Sequence, residues 1–418
     1  MGARRISGTP FHCAKHTQSG RLYINTQLMK QDWTACKNIL IIRADNMGDL
    51  LMSSPAIRAV KKTLKCKISV LTSSLGKGIA DLIPEIDEII SCDLPWIKTN
   101  AVFSSSDCSS LIERLKGHKF DGAIIFTVYS QNPLPSVMLA YLADIPRRLA
   151  YCRENPYRLL TDWVPEKEPY TFIRHQVRRD LDLVAHINCL VADEHLSLRT
   201  SGTCWPDLKK KLSGMGVSDD KPWIVMHAGV SEQKRQYPTK NWIETGKLLL
   251  RQLPCQLLLT GTLSEASLSN KISSGLGEES FSLAGKLNLE EFVTLIKHAA
   301  LVISVNTATI HIAAATGTPI IVLYALTNPQ HTPWKVKGEI LPFRVPEKLK
   351  SKNEVVKYVD ENLFDTDVTA PTPADITDAA KRILLQGQVA LIPEIVFSRH
   401  TELQTIGKFS WLPANRYV

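Results

Sequence analysis

The sequence predicts an α/β protein with two Rossmann-like, doubly wound domains that face a central cleft. Its 418 residues are about twice the length of an ordinary single domain. Short β-branched runs alternate with stretches of helical periodicity, which is the pattern of a parallel sheet covered by helices. This alternation occurs in two series separated by a mixed stretch, so we expect two sheets whose carboxyl ends meet at the cleft.

The first series begins with the run NILIIR at Asn38–Arg43, which is typical of a buried parallel strand. Apolar residues at helical spacing from Leu50 to Leu64 predict a helix directly after it, and Pro55 marks a helix start or a kink. Further strands are predicted at Lys67–Leu71, Glu88–Ile90 and Gly122–Phe126. Helices are predicted at Gly78–Leu82, Cys108–Lys116, Pro133–Leu142 and, as a long amphipathic pattern, Arg174–Asp193.

The second series has the same alternation of strands and helices. Its strands are predicted at Trp223–Met226, Gln256–Leu259, Phe281–Leu283, Leu301–Ser304 and Ile320–Tyr324. Its helices are predicted at Asn241–Gln252, Glu265–Ser273, Leu289–Ala299 and Thr307–Ala315. Because Ser, Gly and Pro are scattered through 196–219, we place the domain boundary there. The predicted division is a basic leader at 1–36, a first domain at 37–200, a second domain at 201–386 and a tail at 387–418.

Composition excludes several classes of protein. Hydrophobic residues make up 44% and charged residues 22%, which fits a globular chain. Apolar runs such as Ile320–Leu326 are far shorter than the roughly 20 residues of a membrane-spanning helix. The amino-terminal segment has no continuous apolar stretch such as a secretory signal peptide needs, so we expect a cytoplasmic protein. The nine cysteines form no Cys-x-x-Cys pair, so we expect them to be reduced thiols. His12, Cys13 and His16 are better explained as a solvated tail than as metal ligands, because no second ligand cluster complements them.

The net charge of +9 favours anionic partners. No basic run interleaved with aromatic residues is present, so nucleic acid is not an expected partner. We assign the charge to phosphates on the substrates and to contact with a membrane surface. The sequence does not indicate an oligomeric state.

The first candidate site is the turn RADNMGDL that follows the first strand. Gly48 permits an unusual backbone conformation there, and Asp49 is carried to the mouth of the sheet beside a helix start. A carboxylate at this place can take a proton from an attacking hydroxyl, although it can equally cap the helix. Asp45 is the rival base, but an Asx-type turn explains it better.

The second candidate site is SVNTATIH, between an apolar strand and an alanine-rich helix. The free amides of the helix start can hold a pyrophosphate. Thr307 and His311 lie one turn apart on the same face, so a hydroxyl and an imidazole can converge on one anion. Ala308 is small enough to let a phosphate approach the backbone. Alone, His311 would be better explained as a core histidine.

Two weaker sites follow other strands of the second series. The loop that begins at His227 carries Ser231, Lys234 and Arg235, which can neutralise a diphosphate leaving group. Adjacent cations on an exposed loop are also ordinary solvated surface. Glu265 follows the strand LLLT, where a carboxylate can accept hydrogen bonds from ribose hydroxyls or take part in a helix cap.

The motifs of several other enzyme classes are absent from the sequence. No Gly-x-Gly-x-x-Gly fingerprint and no Walker-type Gly-Lys-Ser/Thr is present, which argues against dinucleotide oxidoreduction and P-loop phosphoryl transfer. No Gly-x-Ser-x-Gly elbow and no His-Glu-x-x-His motif is present either.

Together these sites resemble glycosyltransferase family 9, the heptosyltransferase family of bacterial lipopolysaccharide assembly. Three segments carry the resemblance in order: ILIIRADNMGDLLMSSPAIRAVKK, IRHQVRRDLDLV and ISVNTATIHIAAATGTPIIVLYALTNPQHTPW. It extends from about Lys37 to Trp334. The resemblance implies a GT-B fold in which the second domain binds a nucleotide-sugar, with ADP-heptose as the expected donor. The first domain would bind a lipopolysaccharide-core or other cell-surface glycan or glycolipid.

The resemblance also implies roles for individual residues. Asp49 would be the general base of an inverting displacement, and Lys234 or Arg235 would stabilise the leaving diphosphate. Glu265 would hold the ribose. The segment from Asn306 to His311, with Thr307 and Ala308, would hold the phosphates and part of the sugar. No metal and no cofactor are implied, and the enzyme would work in the cytoplasm, where contact with the inner membrane is compatible with its charge. By the same resemblance, a terminal helix at Ala370–Leu385 can cross back to the first domain.

Two departures from the family pattern concern the donor. Where the family usually has Asp-Thr-Gly, this chain has Asn306-Thr307-Ala308, so an amide that donates and accepts replaces a carboxylate. Arg235 holds the place of the usual lysine three residues before Pro238, and Lys234 precedes it. Arginine can bind a diphosphate through two parallel hydrogen bonds, whereas lysine acts as a point charge, so the two cations are not equivalent.

Other interpretations stay open at this point. A sugar-nucleotide epimerase or hydrolase would share the fold. A catalytically silent scaffold or glycan-binding protein is suggested by Asn306 and Ala308, but Asp49, Glu265 and His311 argue against it. Five arginines of the first series could pair with acidic groups of an acceptor, or could be surface charges and structural ion pairs: Arg147, Arg148, Arg153, Arg158 and Arg174.

Overall fold

The computed structural model describes residues 32–98, 102–364, 368–387, 390–394 and 396–398. Its framework is two six-stranded sheets in which all neighbouring strands are parallel. The predicted fold class of two Rossmann-like domains is confirmed. Most of the predicted leader and tail, with His12, Cys13 and His16, lies outside the described residues. No helix in these described ranges is long and apolar enough to cross a membrane.

The first sheet lies in the amino-terminal half of the chain. Its strands are β1 (Asn38–Ile42), β2 (Lys67–Thr72), β3 (Glu88–Ser91), β4 (Gly122–Ile125), β5 (Arg147–Cys152) and β6 (Asp162–Pro165), in the order β3-β2-β1-β4-β5-β6. Its helices are α1 (Met47–Met52), α2 (Ser54–Leu64), α3 (Ser74–Ala80), α4 (Ser105–His118) and α5 (Leu134–Leu142). The predicted first helix is therefore two helices that meet at Ser53, just before Pro55.

The connection between the sheets contains β7 (Phe172–Arg174), α6 (Gln176–Ala185) and α7 (Cys204–Ser213). The second sheet has strands β8 (Trp223–His227), β9 (Gln256–Thr260), β10 (Ser280–Ser282), β11 (Leu301–Val305), β12 (Ile320–Ala325) and β13 (Gly338–Phe343), in the order β10-β9-β8-β11-β12-β13. Its helices are α8 (Thr239–Gln252), α9 (Ala266–Leu276), α10 (Leu289–His298) and α11 (Ala308–Thr316). Then follow α12 (Glu354–Leu363), α13 (Pro373–Leu384) and β14 (Val396–Ser398).

The strand order of each sheet reverses at one point, and open α/β sheets bind ligands in the crevice beside such a point. In the first sheet the reversal lies between β1 and β4, and in the second between β8 and β11. The turn after β1 carries Asp49, the loop after β8 carries Arg235, and Thr307 follows β11. The fold therefore brings three of the predicted sites to the two switch points.

One cluster of buried apolar side chains spans both domains. The side chains of β1 from Ile39 to Ile42 are fully buried, as the uninterrupted apolar run predicts for a parallel strand covered on both faces. One continuous cluster of buried side chains joins Leu50 of the first domain with Ile310 and Trp334 of the second. The domains are therefore packed together along this face.

Helix α6 is shorter than the predicted helix at Arg174–Asp193. It begins at Gln176 because Phe172–Arg174 forms strand β7, which pairs antiparallel with β14, and it ends at Ala185. His175 caps the helix: its Nδ1 accepts a hydrogen bond from the Val177 amide at 3.1 Å. Its Nε2 donates to the carbonyl oxygen of Thr332, in the second domain, at 2.7 Å. The imidazole is thus a fixed link between the domains.

This link predicts a steep pH dependence of stability. Burial lowers the pKa of His175 to about 4, and the bond to Thr332 only partly offsets it. In the unfolded chain His175 takes up a proton near pH 6.5, whereas in the folded chain it stays neutral down to about pH 4. The free energy of unfolding therefore falls as the pH drops from about 6.5 to 4. The shift corresponds to about 3 kcal/mol at most. We expect His175→Asn, which keeps a capping side chain, to reduce this loss, as measured by urea unfolding across that pH range.

Unfolding at pH 7.5, where His175 is neutral in both states, serves as the reference for this comparison. At this pH the difference in unfolding free energy between wild type and His175→Asn reports the lost bond to Thr332, without a contribution from protonation. Parallel stability curves for the wild type and His175→Asn between pH 4 and 6.5 would contradict the assignment.

The carboxyl-terminal helix does not cross back as expected. Helix α13 packs against α8, β12 and β13 of the second domain, and Tyr237 of that domain donates to the Pro371 carbonyl just before α13 at 2.7 Å. The expectation for Ala370–Leu385 is therefore wrong. The return to the first domain is made by α12, whose Tyr358 ring lies 5.0 Å from that of Tyr170, and by β14, which pairs with β7.

Candidate active site

Asp49 is the third residue of α1 and faces the second domain. Its Oδ2 accepts a hydrogen bond from the backbone amide of Asn46 at 3.3 Å, so it takes part in the helix cap. Its Oδ1 lies 3.4 Å from Nη2 of Arg43 and 3.6 Å from Nε2 of His331. With 13% of its side chain exposed, Asp49 combines the capping and the cleft-facing positions that the sequence left as alternatives.

The rival base Asp45 points into the first domain. Gln131 Nε2 donates to its Oδ1 at 2.5 Å, and Nε of the fully buried Arg43 lies 3.3 Å from its Oδ2. These two groups, rather than an Asx turn, hold the carboxylate. Burial raises the pKa of Asp45, and Arg43 opposes that rise. Asp49 is therefore the better placed of the two to meet an acceptor hydroxyl.

The start of α11 lies directly opposite α1. Thr307 is its N-cap residue, and the Thr307 Oγ1 and His311 Nδ1 atoms are buried polar atoms without a hydrogen-bond partner among the described residues. Burial lowers the pKa of His311 well below its usual value, and His331, His175 and Arg235 add to the effect. The His311 imidazole is therefore neutral near pH 7.

Gly48 is the point of closest approach between α1 and α11. A Cβ atom at Gly48 would lie 2.9 Å from Cδ2 of His311 and 3.6 Å from Cα of Ala308. The buried imidazole has little room to yield, so glycine here sets the spacing of the two helices.

We therefore expect Gly48→Ala to lower kcat/KM by about 10- to 100-fold, because small displacements of reacting groups have effects of this size. Initial rates of nucleotide release measure the change. Gly117→Ala is the matched control, since a Cβ at Gly117 meets nothing within 4 Å. Wild-type kinetics for Gly48→Ala would show that the α1–α11 spacing does not matter for turnover.

Asn306 uses its side chain to join β11 to β12. Its Nδ2 donates to the Ala325 carbonyl at 3.1 Å and to Thr327 Oγ1 at 3.2 Å, while its Oδ1 accepts from the Ala325 amide at 3.1 Å. A carboxylate could not donate either of the first two bonds, which accounts for an amide at this place. The side chain thus braces the strand ends, a role that sequence reasoning did not anticipate.

The two candidate cations differ in where they are anchored. Arg235 Nη1 donates to the Asn306 carbonyl at 3.0 Å, which fixes the guanidinium at the start of α11. Lys234 has its Nζ 3.3 Å from Glu232, which also lies 3.2 Å from Arg235 Nη2 and 2.9 Å from Lys98 Nζ of the first domain. Ser231 is exposed in the same loop. Of the two cations, Arg235 is the one brought to the helix start.

Glu265 occupies the capping position that the sequence offered as an alternative. Its Oε2 accepts from the Thr262 amide at 2.7 Å and from Thr262 Oγ1 at 2.9 Å. Its carboxylate lies over the loop after β8, since a Cβ at Gly229 would be 2.1 Å from Oε1. Glycine at 229 is therefore what lets Glu265 reach this loop.

The arginines proposed for acceptor binding have mostly internal partners. Arg148 donates to the Leu159 and Arg158 carbonyls, and Arg153 to the Tyr129 and Glu168 carbonyls. Arg174 pairs with Asp182 at 2.6 Å, and Arg147 Nη1 lies 3.4 Å from the Asp121 carbonyl. Arg158 is exposed. The structural interpretation of this group is therefore the better one, with Arg158 left as the open candidate.

Comparison with known proteins identifies the family. Residues 108–357, more than half of the chain, match the sequence profile of glycosyltransferase family 9 (heptosyltransferase). The chain belongs to glycosyltransferase family 9. This family 9 protein is therefore a glycosyltransferase, and the predicted resemblance is confirmed.

The curated relatives of this family 9 enzyme are mostly heptosyltransferases. Lipooligosaccharide heptosyltransferase 2 of Haemophilus influenzae is 28% identical over 308 residues, which cover 71% of this chain and 85% of the relative. Lipopolysaccharide heptosyltransferase 2 of Salmonella typhimurium is 25% identical over 309 residues, covering 71% and 84%.

Solved structures show the same fold. The ADP-heptose lipopolysaccharide heptosyltransferase II of Escherichia coli superposes with a TM-score of 0.63 at 21% identity, covering 84% of this chain and 99% of that one. A family 9 glycosyltransferase of Veillonella parvula has a TM-score of 0.68 at 15% identity, covering 85% and 99%. A second E. coli heptosyltransferase, solved with ADP-2-deoxy-2-fluoro heptose, has a TM-score of 0.54 at 18% identity, covering 78% and 99%.

One residue reaches the family 9 site without having been predicted. His331 lies in the 3-10 turn Pro329–His331 after β12, close to Asp49. The segment TNPQHTPW indicates only a turn, and no periodicity shows which way its histidine points. Among the described residues, no group of His, Cys, Asp and Glu is arranged to hold a metal ion.

Proposed function

We propose that this protein is an inverting heptosyltransferase that uses ADP-heptose and transfers the heptose to a hydroxyl of a lipopolysaccharide-core or related cell-surface glycan. One observation carries the proposal: Asp49, whose Oδ1 lies 3.6 Å from His331 of the second domain, directly follows Gly48, the point where α1 meets the α11 start. Arg235 is bonded to the Asn306 carbonyl at that helix start. A base and a site for an anionic leaving group thus lie on opposite domains. The heptosyltransferase relatives support heptose as the sugar.

The second domain supplies the groups that suit a diphosphate. The free backbone N–H groups at the start of α11 favour binding of a negatively charged group, as at other helix N-termini. Arg235 is fixed beside them through the Asn306 carbonyl, and its Nε is a buried atom without a partner among the described residues. Thr307 Oγ1 and His311 Nδ1 are available in the same place. We assign the charge neutralisation to these side chains, with Lys234 in support, and not to a metal.

The nucleoside would lie over the loop after β8. Glu265 lies over Gly229 and keeps one carboxylate oxygen outside the Thr262 cap, so it can accept hydrogen bonds from ribose hydroxyls. In this arrangement Ala308 borders the phosphates, and Ser231, in the loop after β8, assists in binding the diphosphate. Asn306 acts indirectly by holding the β11 and β12 ends in register.

The first domain would supply the acceptor and the base. Asp49 takes the proton of the acceptor hydroxyl as its oxygen attacks the anomeric carbon. The bond from that carbon to the diphosphate breaks on the opposite side, and ADP leaves with the electron pair. Direct displacement of this kind inverts the anomeric centre. We place the reaction in the cytoplasm, with the glycolipid acceptor presented at the inner membrane surface.

The test is nucleotide release from purified protein incubated with ADP-heptose or other nucleotide-sugars, with and without a lipopolysaccharide-core acceptor. We expect release that requires both ADP-heptose and the acceptor, with an inverted linkage in the product by NMR. Release without acceptor would favour a hydrolase. Donor binding without turnover, tested with a complete set of acceptors, would favour a glycan-binding protein.

A further inference from the structure

His331 belongs to the second domain but faces the candidate base of the first. Its Nε2 lies 3.6 Å from Oδ1 of Asp49, and 23% of its side chain is exposed. The neighbouring residues of its turn are fixed to the first domain: Gln330 Nε2 donates to the buried Glu168 at 3.2 Å, and the Thr332 carbonyl accepts from His175. The imidazole is therefore held in place relative to Asp49.

The hydrogen bonds around His331 define which of its nitrogens carries the proton. Asn328 Oδ1 accepts from the Gln330 amide at 3.0 Å, so the Asn328 Nδ2 carries the hydrogens that point to His331 Nε2 at 3.3 Å. The Nε2 atom is then an acceptor, and the proton of the neutral ring is on Nδ1. Nε2 has a single lone pair, which receives the long bond from Asn328 in this structure, and Asp49 Oδ1 is a second group close to it, 3.6 Å away.

The charges that surround His331 favour its neutral form. Burial lowers its pKa well below the usual value, and Arg43, Arg235 and His175 lower it further. The other titratable groups that face it are Asp49 and His311, whose ring centroid is 6.4 Å away. A neutral acceptor nitrogen and an ionised carboxylate have no proton to share. They form a hydrogen bond only after Asp49 is protonated.

We propose that His331 is a positioning residue for the transfer step: its Nε2 accepts a hydrogen bond from the Asp49 carboxyl, in exchange for the long bond from Asn328, once that carboxyl holds the proton of the acceptor hydroxyl. The inference rests on the proposed role of Asp49 as the base. As the acceptor oxygen bonds to the anomeric carbon and ADP departs, the proton moves from the hydroxyl to Asp49 Oδ1 and stays shared with His331. A bond made only by the protonated carboxyl strengthens the base in the transition state.

This role depends on both domains. The base is in the first domain, and the group that stabilises its protonated form is in the second. The proposed stabilisation of protonated Asp49 therefore requires the turn at 329–331 to lie against α1, as it does in this structure.

The test compares His331→Phe, which has no acceptor atom, with His331→Gln, whose amide oxygen can accept. We expect His331→Phe to lower kcat by about 10- to 100-fold, with a donor KM within about threefold of wild type. The acid limb of its kcat–pH profile should move to lower pH. His331→Gln should keep kcat within about fivefold of wild type. A wild-type kcat and pH profile for His331→Phe, or equal defects in both variants, would overturn the inference.

The double variant separates this inference from the proposed function. If Asp49 is the base, His331→Phe should have no further effect in an Asp49→Asn background. A full effect of His331→Phe in that background would overturn the inference while leaving Asp49 as the base. Full activity of Asp49→Asn itself would overturn the proposed base, and the inference with it.

A measurement without turnover completes the test. In protein labelled with ¹⁵N-histidine, we expect the His331 resonances to show the Nδ1–H tautomer at pH 7.5. An Nε2–H tautomer would overturn the inference even if no donor is turned over.

Discussion

Asp49→Asn is expected to lower kcat by about 10²- to 10⁴-fold, the usual range for loss of general base catalysis. Asparagine has the same shape, and its side-chain oxygen can still accept from the Asn46 amide, as Asp49 does at 3.3 Å. The fold and the donor site should therefore survive. Steady-state kinetics measure the loss of kcat, and calorimetric titration with ADP should give a Kd within about threefold of wild type.

Asp45→Asn is the matched control, because Asp45 lies four residues away and shares Arg43 as a partner. Its carboxylate faces Gln131 in the first domain, so we expect a smaller loss of activity than for Asp49→Asn. A larger loss in Asp45→Asn than in Asp49→Asn would transfer the role of base to Asp45.

Arg235→Ala is expected to lower kcat/KM by about 10²- to 10³-fold, the usual cost of removing one donor that stabilises developing charge. The guanidinium is fixed at the α11 start by its bond to the Asn306 carbonyl at 3.0 Å, where a leaving diphosphate would develop charge. Lys234→Ala should cost less than tenfold, because both cations pair with Glu232 but Arg235 is the one of the two that also bonds to the Asn306 carbonyl. Single-turnover rates of ADP release measure both losses.

Lys98→Ala is the control for the charge network around Glu232. Lys98 also pairs with Glu232, at 2.9 Å, but 83% of its side chain is exposed, so its removal should have little effect. A loss in Lys234→Ala that exceeds the loss in Arg235→Ala would show that the lysine contacts the diphosphate. Partial recovery in Arg235→Lys would indicate that charge matters more than the bidentate fork.

The sequence predicted nine of the twelve strands in the two six-stranded sheets, including the central β1, β4, β8 and β11. Runs such as that of β1 are uninterrupted and β-branched, so they differ clearly from helices and loops. Three strands at or next to a sheet edge were missed: β5 begins with two arginines, β6 contains a single apolar pair, and β13 holds both Gly338 and Pro342. The three-residue strands β7 and β14 were missed as well. Strands near an edge tolerate such residues, and their sequences therefore resemble loops.

The candidate site was predicted in outline because its residues follow strands. Asp49, Arg235 and Thr307 all follow strands beside the switch points of the sheets, so topology alone places them near the cleft. The roles of Asn306 and His331 depend on partners that lie far away in the chain or in the other domain. No local pattern contains that information, and only the docked domains reveal it.

The return of the carboxyl-terminal segments to the amino-terminal half of the chain determines what happens when the chain is cut between the two domains. The carboxyl-terminal part adds α12, with its contact to Tyr170, and β14, paired with β7, to the amino-terminal half. A protease cut between α6 and α7 should therefore yield two fragments that stay together as one particle. Co-expressed halves split at that connection are expected to reassemble, whereas the amino-terminal half alone would expose the surface that those returning segments cover.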